Sequence, residues 1–467
     1  MGICGSGAAS IAMIAKKMGY TVSGCDLSTD SYYAGELKKA GIPISEGHSR
    51  SHLTNDIDIV AVSPALFDIS PDNEELKEAD KRGILMTWQE FMGKILQQGK
   101  RVIAVSGTHG KTTTTFLTAE LLIEAGLDPT VEGGSVYKKW KNGGRFGGSD
   151  LFLCEADEFN RNFFHYKPET AVMTNVEMDH PECFRDLNEV EDSFAHFLAN
   201  DPNLKNVVFS GESPGAWEVL RRASRAERFR ECRIIALYNE CEKAEPVPGV
   251  TVLSAVYHVE GHEGTDTTFS LTFEGKTSRY VCRMPGLYNV ANAALSVLIA
   301  KTYQVSDLSI QTALDGFLGA GRRFDYVGDC RDVPVYDDYA HHPTEIRALL
   351  TMCREYFPGK KLLAFFEPHQ ISRLRLLFQD YVDALTIADH VVIMKTHIGR
   401  EVLKNVTPLS KEEWESASDR ICYEEDADRQ KEIAWSWIDR HECDMILVIG
   451  AANSYRLSRF LTKEEEE

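Results

Sequence analysis

One segment constrains the fold of this chain more than any other, because a strand pattern, a glycine loop and a helix pattern follow one another directly. The apolar run Arg101–Ser106 predicts a strand buried in a sheet, and the next residues read Gly-Thr-His-Gly-Lys-Thr-Thr-Thr-Thr. Gly107 and Gly110 let the backbone bend so that its N–H groups converge on phosphate oxygens. The N-terminus of the following helix adds its positive dipole end. The segment therefore predicts an α/β domain that binds a nucleotide phosphate.

The polar residues of this loop indicate which nucleotide is bound. Lys111 offers a positive charge to the β- and γ-phosphates, and Thr112 offers a hydroxyl to Mg²⁺. The spacing departs from the full Walker motif, because Val105 stands where that motif has its first glycine. We therefore predict an ATP site with Mg²⁺. Its predicted contact residues are Gly107, Thr108, His109, Gly110, Lys111, Thr112 and Thr113.

Length and pattern predict how the rest of the chain is organised. The 467 residues amount to about three typical domains, and a hydrophobic content of 43% excludes a disordered chain. Strand-like and helical patterns alternate in three blocks, which is typical of α/β domains with parallel sheets. We predict a Rossmann-like domain over residues 1–98, a P-loop ATPase-like domain over 99–320 and a second Rossmann-like domain over 321–467.

Charge and cysteine content exclude several classes of partner. The formal net charge of −20 disfavours nucleic acid and anionic membrane surfaces. No run approaches the roughly 20 apolar residues of a membrane span. The 11 cysteines are scattered without a C-x-x-C pair, so neither a disulfide framework nor a thiolate zinc site is expected. The sequence predicts a cytoplasmic protein, monomeric or homodimeric, whose partners are small molecules.

Acidic and histidine residues follow two further strand patterns in the central block. Glu155 follows the apolar run 151–154, and His180 comes six residues after the run 170–174. Carboxylates at a strand end beside a phosphate loop can hold Mg²⁺, which prefers oxygen ligands. Judged alone, such residues are also common as helix caps and surface groups.

Taken together, the motifs resemble those of the Mur ligases, the ATP-dependent enzymes that add amino acids to the cell-wall precursor. The resemblance covers nearly the whole chain, in family order. It rests on residues 107–115, 155–158, 174–180, 285–294, 321–324, 337–343 and 368–373. The loop histidine, His109, points to the member that adds the first residue. The resemblance thus implies ATP-dependent joining of L-alanine to the lactyl carboxylate of UDP-N-acetylmuramate, through an acyl phosphate, in peptidoglycan synthesis.

The resemblance also implies roles for individual residues. Tyr288 stands where the family has a histidine near adenine, and Gln370 replaces the first arginine of the amino-acid motif. The implied Mg²⁺ ligands are Thr112, Glu155 and His180; the further ATP contacts are Tyr288, Asn292, Arg323 and Asp338; the amino-acid contacts are Tyr339, His369 and Arg373. Catalytic roles are implied for Lys111, His180, Arg323 and His342, and either His342 or His369 is the candidate base for the amine.

A second glycine loop opens the chain. The segment Gly2–Gly7 precedes a helix pattern, and Asp26 ends the next strand pattern, so the residues alone allow dinucleotide binding. The resemblance instead implies that this end binds the UDP-sugar, through Gly2, Gly5, Ser6, Gly7 and Asp26. No strand pattern precedes Gly2. We therefore expect the sheet of the first domain to lack its central strand, and the native protein to have a longer N-terminus.

Three alternatives stay open at this point. A recycling ligase would attach a whole tripeptide to the same nucleotide sugar, and residues 2–5 and 165–168 look somewhat like that enzyme, whereas residues 368–373 favour the alanine enzyme. A P-loop switch protein would hydrolyse ATP without either co-substrate. A dehydrogenase built on the N-terminal loop would bind NAD(H).

Overall fold

The computed structural model describes residues 1–243, 245–398 and 406–463. These residues form two compact units. The first contains Met1–Met284 and Tyr288–Ala320, and the second contains Pro285–Leu287 and the chain from Gly321 onward. The limits of the three sequence domains stay predictions.

The first unit contains a ten-stranded sheet and two parallel strand pairs. Its strands are β1 (Gly24–Asp26), β2 (Ile44–Glu46), β3 (Val60–Val62), β4 (Leu85–Thr87), β5 (Arg101–Ser106), β6 (Thr130–Tyr137), β7 (Asn142–Arg145), β8 (Leu151–Glu155), β9 (Thr170–Met173), β10 (Asn206–Ser210), β11 (Arg233–Asn239), β12 (Val252–Glu263), β13 (Asp266–Phe273) and β14 (Lys276–Cys282). The large sheet has the order β14-β13-β12-β11-β10-β9-β5-β8-β6-β7, and β1 pairs with β2 as β3 pairs with β4.

Helices cover these sheets. They are α1 (Ser6–Lys17), α2 (Tyr32–Lys39), α3 (Ala65–Ile69), α4 (Glu74–Lys81), α5 (Trp88–Phe91), α6 (Lys111–Glu124), α7 (Leu187–Ala199), α8 (Pro214–Ala223), α9 (Leu287–Thr302) and α10 (Asp307–Gly316). Short turns of 3₁₀-helix lie at Arg50–His52, Phe159–His165 and Glu227–Glu231, and a π-helical turn lies at Met92–Leu96.

The phosphate-loop strand β5 lies between β8 and β9 and runs parallel to both. After its first residue, Arg101, β5 is buried at every position, as expected for a strand covered on both faces. Two apolar clusters pack in this unit: Ala104 belongs to one and Ile103 to the other. The outer strands are antiparallel, β12 to β14 on one side and β6 to β7 on the other. The sheet thus places the ends of β5, β8 and β9 side by side.

The first 100 residues pack on the large sheet rather than standing apart. Ile11 and Ile14 of α1 share an apolar core with Phe152 of β8, and the side-chain amide of Asn142 lies 2.7 Å from the sulfur of Met13. A Cβ on Gly144 would lie 2.9 Å from the carbonyl of Ser10. This close packing explains why these residues belong to the same compact unit as the central block.

Residues Met1–Ile3 lie between the two parallel strand pairs, where the sequence led us to expect no central strand. The amino group of Met1 donates to the carbonyl of Ala61 (2.8 Å), and the Ser63 amide donates to the carbonyl of Met1 (3.0 Å). On the other side, the amides of Gly2 and Ile3 donate to the carbonyl of Cys25 (2.8 and 3.2 Å). Through these bonds residues 1–3 connect β1 with β3, although they do not themselves form a regular strand.

The second unit is a six-stranded sheet of order β15-β16-β20-β17-β18-β19, covered by helices. Only β15 is antiparallel to its neighbour. The strands are β15 (Asp325–Cys330), β16 (Val333–Asp338), β17 (Leu362–Phe366), β18 (His390–Ile393), β19 (Ile421–Tyr423) and β20 (Met445–Ile449). The helices are α11 (Pro343–Tyr356), α12 (Ile371–Leu376), α13 (Phe378–Leu385), α14 (Lys411–Glu415), α15 (Ala427–Asp439) and α16 (Tyr455–Leu461). None of the helices in the described ranges is long and apolar enough to span a bilayer.

Candidate active site

The phosphate loop connects the end of β5 to the start of α6. Gly107 has φ 129° and Gly110 has φ 82°, both in the region that favours glycine. A Cβ on Gly107 would lie 2.1 Å from the hydroxyl of Thr174, and one on Gly110 would lie 2.5 Å from Oδ1 of Asn292. Glycine is therefore required at both positions by conformation and by space. The first turn of α6 leaves backbone N–H groups available for an anion, which is how such loops bind phosphate.

Lys111 lies at the centre of this loop among carboxylates. Its Nζ donates to the carbonyl of Gly107 (2.5 Å) and forms an ion pair with Glu158 Oε2 (3.0 Å). Burial lowers the pKa of Lys111, but the negative charges of Glu158 and neighbouring carboxylates outweigh it, so the pKa lies above its usual value. Burial also raises the pKa of Glu158, against the opposing charge of Lys111. Lys111 thus stays positively charged on a half-buried side chain, where its attraction for phosphate is stronger than in bulk water.

Glu155 and Thr112 meet at the end of β8. The Thr112 hydroxyl donates to Glu155 Oε2 (2.9 Å), and the backbone amide of Gly134 donates to the same oxygen (2.8 Å). A hydroxyl and a carboxylate beside a phosphate loop are the oxygen donors that Mg²⁺ prefers, so these residues fit the ion. The sequence did not single out Glu132, which is buried on β6, where burial and the charge of Glu155 raise its pKa well above the usual value.

His180 belongs to a second group of possible metal ligands in the first unit. Ligand atoms of Asp157, Glu158 and His180 all lie within 4.8 Å of one another. The Nδ1 of His180 lies 3.1 Å from Oε1 of Glu182. Burial lowers the pKa of His180, but the charge of Asp179 and the hydrogen bond with Glu182 outweigh it and raise the pKa to about 9. Two carboxylates and an imidazole fit a divalent cation, and Asp157 and Glu158 were present in the sequence motif without an assigned role.

Two predicted adenine contacts belong to α9. Oδ1 of Asn292 accepts a hydrogen bond from the Thr114 hydroxyl (3.4 Å), and it is the atom that leaves no room for a Cβ on Gly110. The structure therefore places Asn292 against the phosphate loop. Tyr288 lies half-buried in the first turn of α9. Thr108 and His109 also face the segment after β9: the Thr108 amide donates to the Asn175 carbonyl (3.1 Å), and the His109 amide donates to Oδ1 of Asn175 (2.8 Å).

In the second unit the tandem arginines differ in their contacts. Arg322 forms an ion pair with Asp337 (3.0 Å) and donates to the hydroxyl of Ser454 (2.7 Å), so it holds this unit together. The guanidinium of Arg323 lies 5.4 Å from the ring centroid of Tyr339, and its side chain is 30% exposed. Arg323 is the less engaged of the two in these contacts: its ion pair with Glu345 is longer (3.9 Å), and its exposure exceeds the 22% of Arg322 only slightly.

Asp338 ends β16 beside this pair. Its carboxylate accepts the backbone amides of Phe324 (2.7 Å) and Ala340 (2.8 Å). Burial raises the pKa of Asp338 to about 6, although the charge of Arg323 opposes the increase. These bonds fix the turn that carries Tyr339.

Three histidines surround the end of β17. The ring centroid of His369 lies 6.3 Å from that of His341 and 5.5 Å from that of His397. His341 and His397 were not among the site residues predicted from the sequence. His342 is buried as the N-cap of α11, where its Nδ1 accepts the Thr344 amide (3.3 Å). Nδ1 is therefore already engaged, so a base role for His342 would have to use Nε2. Arg373, which is predicted to bind the carboxylate of the amino acid, is 1% exposed. Helix α12 therefore holds its side chain inside the unit rather than on the surface.

The N-terminal loop has a different environment. Its predicted ligand residues Gly2, Gly5, Ser6, Gly7 and Asp26 lie close together, because the Cys4 amide donates to Oδ2 of Asp26 (2.8 Å) and α1 begins at Ser6. Gly2 has φ 69°, and a Cβ on Gly7 would lie 2.5 Å from the ring of Trp88. The loop offers backbone amides and a helix N-terminus, but no lysine or arginine belongs to it.

The geometry defines an α/β protein with a phosphate loop, paired carboxylates and a second Rossmann-like unit, and sequence comparison gives its family. Family models match residues 1–100 (Mur ligase family, catalytic domain), 105–300 (Mur ligase middle domain) and 322–452 (Mur ligase, glutamate ligase domain). The chain is 31% identical over 470 residues to the UDP-N-acetylmuramate–L-alanine ligase of Lachnospira eligens, covering 99% of this chain and 97% of that protein. It is 33% identical over 466 residues to that of Aquifex aeolicus (99% and 96%). The chain belongs to the Mur ligase family.

Solved structures agree on the fold. The UDP-N-acetylmuramate-alanine ligase of Thermotoga maritima matches with a TM-score of 0.76 at 23% identity, covering 98% of this chain and 96% of that one. The murein peptide ligase of Psychrobacter arcticus matches with a TM-score of 0.71 at 24% identity, with the same coverage. The predicted three-domain α/β fold and the predicted enzyme class, an ATP-dependent amide-forming ligase, are confirmed. The site residues stay predictions.

Proposed function

We propose that this chain joins L-alanine to the lactyl carboxylate of UDP-N-acetylmuramate at the expense of ATP, as a step in peptidoglycan synthesis. The observation that carries the proposal is the half-buried Lys111 in a loop whose conformation requires glycine at positions 107 and 110, with Thr112 and Glu155 beside it. The near full-length similarity to proteins named for this activity supports the choice of substrates.

The phosphate loop is proposed to hold the ATP phosphates. Lys111 would lower the energy of negative charge on the transferring phosphoryl group, because it is charged and half-buried. When bound, Mg²⁺ supplies further charge neutralisation; Thr112 and Glu155 are proposed to hold one ion, and His180 with its carboxylate neighbours a second. Asn292 is proposed to contact adenine from α9.

The reaction is proposed to proceed in two steps. A carboxylate oxygen of UDP-N-acetylmuramate attacks the γ-phosphorus of ATP, the bond to the bridging oxygen breaks, and ADP and an acyl phosphate form. The amine of L-alanine then attacks the acyl carbon, phosphate leaves with the oxygen it received, and an amide remains. A base must accept the proton of the ammonium group, and His342 through Nε2 and His369 are the candidates in the second unit.

Roles in the second unit are proposed for individual side chains. Arg323 is proposed to stabilise charge on the phosphoryl group, since Arg322 is engaged with Asp337. Tyr339, His369 and Arg373 are proposed to form the amino-acid site. In the first unit, the N-terminal loop and Asp26 are proposed to bind the UDP moiety.

None of the cysteines in the described ranges forms a disulfide, which supports the proposed cytoplasmic location.

Phosphate release with defined substrates tests the proposal. The full chain is mixed with ATP and Mg²⁺ and then given UDP-N-acetylmuramate with L-alanine, with a tripeptide, or with neither. We expect phosphate release only with both UDP-N-acetylmuramate and L-alanine. Release only with the tripeptide would favour a recycling ligase, and release without either co-substrate would favour a nucleotide switch.

A further inference from the structure

The first 100 residues contain a second group of metal-binding side chains, outside the site described above. It consists of Cys25 on β1, His48 after β2, His52 in the 3₁₀ turn Arg50–His52, and Glu75 in the first turn of α4. One ligand atom each of Cys25, His52 and Glu75 lies within 4.8 Å of the other two. Cys25 and Glu75 are each 3% exposed. The fold thus gathers four side chains of types that bind zinc into a cluster that is buried except at His52, whose side chain is 27% exposed.

Four of the six donor separations of such a site lie near the values that a tetrahedral zinc ion requires. Sγ of Cys25 lies 3.2 Å from Nδ1 of His48 and 3.5 Å from Oε2 of Glu75. Oε2 of Glu75 lies 3.2 Å from Nδ1 of His52 and 3.8 Å from Nδ1 of His48. Zinc bonds of 2.0–2.3 Å at tetrahedral angles separate neighbouring donors by roughly 3.3–3.6 Å. The four observed separations lie close to that range.

The charges and hydrogen bonds of the cluster also favour a cation. Glu75 is a buried carboxylate whose ion pairs, within the described residues, are with His48 and His52 and with no lysine or arginine. A buried carboxylate needs a positive partner to offset its lost hydration. The side chain of His48 is 3% exposed, and its Nε2 has no hydrogen-bond partner in the part of the chain that the structure describes. Its other ring nitrogen, Nδ1, lies 3.2 Å from the Cys25 sulfur and is the atom that would bind the ion.

We propose that Cys25, His48, His52 and Glu75 bind one Zn²⁺ ion. Four protein ligands close the coordination sphere, which is typical of a structural zinc site rather than a catalytic one. The sequence argued against a thiolate zinc site because it contains no C-x-x-C pair. The four ligands are instead spread over 51 residues and meet only in the fold.

The ion would stabilise the base of the N-terminal glycine loop. The carbonyl of Cys25 accepts the amides of Gly2 and Ile3, and its neighbour Asp26 accepts the amide of Cys4. A metal bond at the Cys25 sulfur would therefore fix the strand end that holds the loop. This inference does not depend on the reaction proposed above, since it concerns metal content and stability.

Metal analysis of the full chain, prepared without a histidine tag and treated with EDTA before dialysis against Zn²⁺, tests the proposal. With Mg²⁺ in excess to occupy the carboxylate sites of the central block, we expect about one zinc ion per chain, and a several-degree rise in the thermal midpoint on adding Zn²⁺. Cys25→Ala and Glu75→Gln should each weaken zinc binding at least about tenfold and abolish the rise. Cys353→Ala, a buried cysteine in the second unit, is the matched control and should keep both.

Cobalt separates this cluster from other metal sites. The Co²⁺-loaded protein should show the intense visible bands of a tetrahedral site and a sulfur-to-cobalt charge-transfer band. Cys25→Ala should lose the charge-transfer band. If circular dichroism shows that Cys25→Ala does not fold, the isosteric Glu75→Gln provides the decisive comparison. Substoichiometric zinc in the wild type, absence of the charge-transfer band, or its persistence in Cys25→Ala would each overturn the proposal.

Discussion

The two glycine loops of the first unit have similar sequences and different physical designs. Around Gly107 and Gly110 the loop carries its own cation, Lys111, with carboxylates within hydrogen-bond distance of it and of Thr112. Around Gly2 and Gly7 the loop offers only backbone amides, and its nearby carboxylate, Asp26, accepts one of them. A loop that contains its own charge suits a phosphoryl group in transfer, whereas a loop of amides suits a pyrophosphate that is bound and left intact.

Removing the cation of the central loop should have the largest effect. Lys111→Met is expected to reduce kcat/KM for ligation by roughly 10³-fold or more, because the half-buried charge proposed to face the transferring phosphoryl group is lost. Phosphate release under saturating substrates measures it. Lys139→Met, which removes a lysine paired with Glu120 elsewhere in the unit, is the control and should stay near wild type. If Lys139→Met lost as much kcat/KM as Lys111→Met, the loss could not be assigned to the cation of the central loop, and the contrast between the two loops would fail.

A methyl group in the central loop should be the next most harmful change. Gly110→Ala would force a Cβ to 2.5 Å from Asn292 in a left-handed conformation, so we expect the KM for ATP to rise roughly 10²-fold. Gly126, which has a positive φ but nothing within 4 Å of a Cβ, is the matched control. If Gly126→Ala were as harmful to ATP binding, strain alone, and not the contact with Asn292, would explain the loss.

The charged surroundings of the central loop should also give a pH-dependent stability. The pKa of His180 is about 9, against 6.5 for an ordinary histidine, so the folded state binds this proton more tightly. Its stabilising contribution is complete below pH 6.5 and is lost as the pH rises to 9, by a few kcal/mol at most. In EDTA, chemical unfolding of His180→Asn should lack this decline. His196→Asn, at an exposed position, should keep it; equal slopes in wild type and His180→Asn would contradict the assignment.

The smallest expected effect concerns the N-terminal loop. A Cβ on Gly5 has ordinary space, because its nearest neighbour is the Gly2 carbonyl at 3.5 Å. Gly5→Ala should therefore leave the thermal midpoint unchanged, while the KM for UDP-N-acetylmuramate rises about tenfold because the methyl group displaces the pyrophosphate. The KM for ATP should not move. An unchanged KM for the nucleotide sugar would place the pyrophosphate elsewhere.

The contrast between the loops also explains what the sequence could predict. β5, its loop and α6 are contiguous, so residues 101–124 predicted a strand, a turn and a helix without help from the rest of the chain. The neighbours that complete this site are remote: Asn175 follows β9, Asn292 lies on α9, and Glu132 faces inward from β6. Only the family resemblance indicated Asn292, and no local pattern marks Glu132.

The second unit shows the same limit. Arg322 and Arg323 are adjacent in sequence, and only packing shows that Arg322 pairs closely with Asp337 (3.0 Å) while Arg323 makes a longer ion pair with Glu345 (3.9 Å). Likewise, residues 337–343 predicted a polar strand end, but not that His342 caps α11 through its Nδ1. The zinc cluster is the extreme case, because its ligands have no recognisable spacing.

The most direct test follows an oxygen atom from UDP-N-acetylmuramate. The nucleotide sugar is labelled with ¹⁸O in its lactyl carboxylate and converted by the full chain with ATP, Mg²⁺ and L-alanine, and the released phosphate is analysed by mass spectrometry. Transfer of the γ-phosphoryl group to the carboxylate predicts one ¹⁸O atom in each phosphate, derived from fully labelled carboxylate. Unlabelled phosphate would show that water and not the carboxylate accepts the phosphoryl group, and would contradict the proposed acyl-phosphate route.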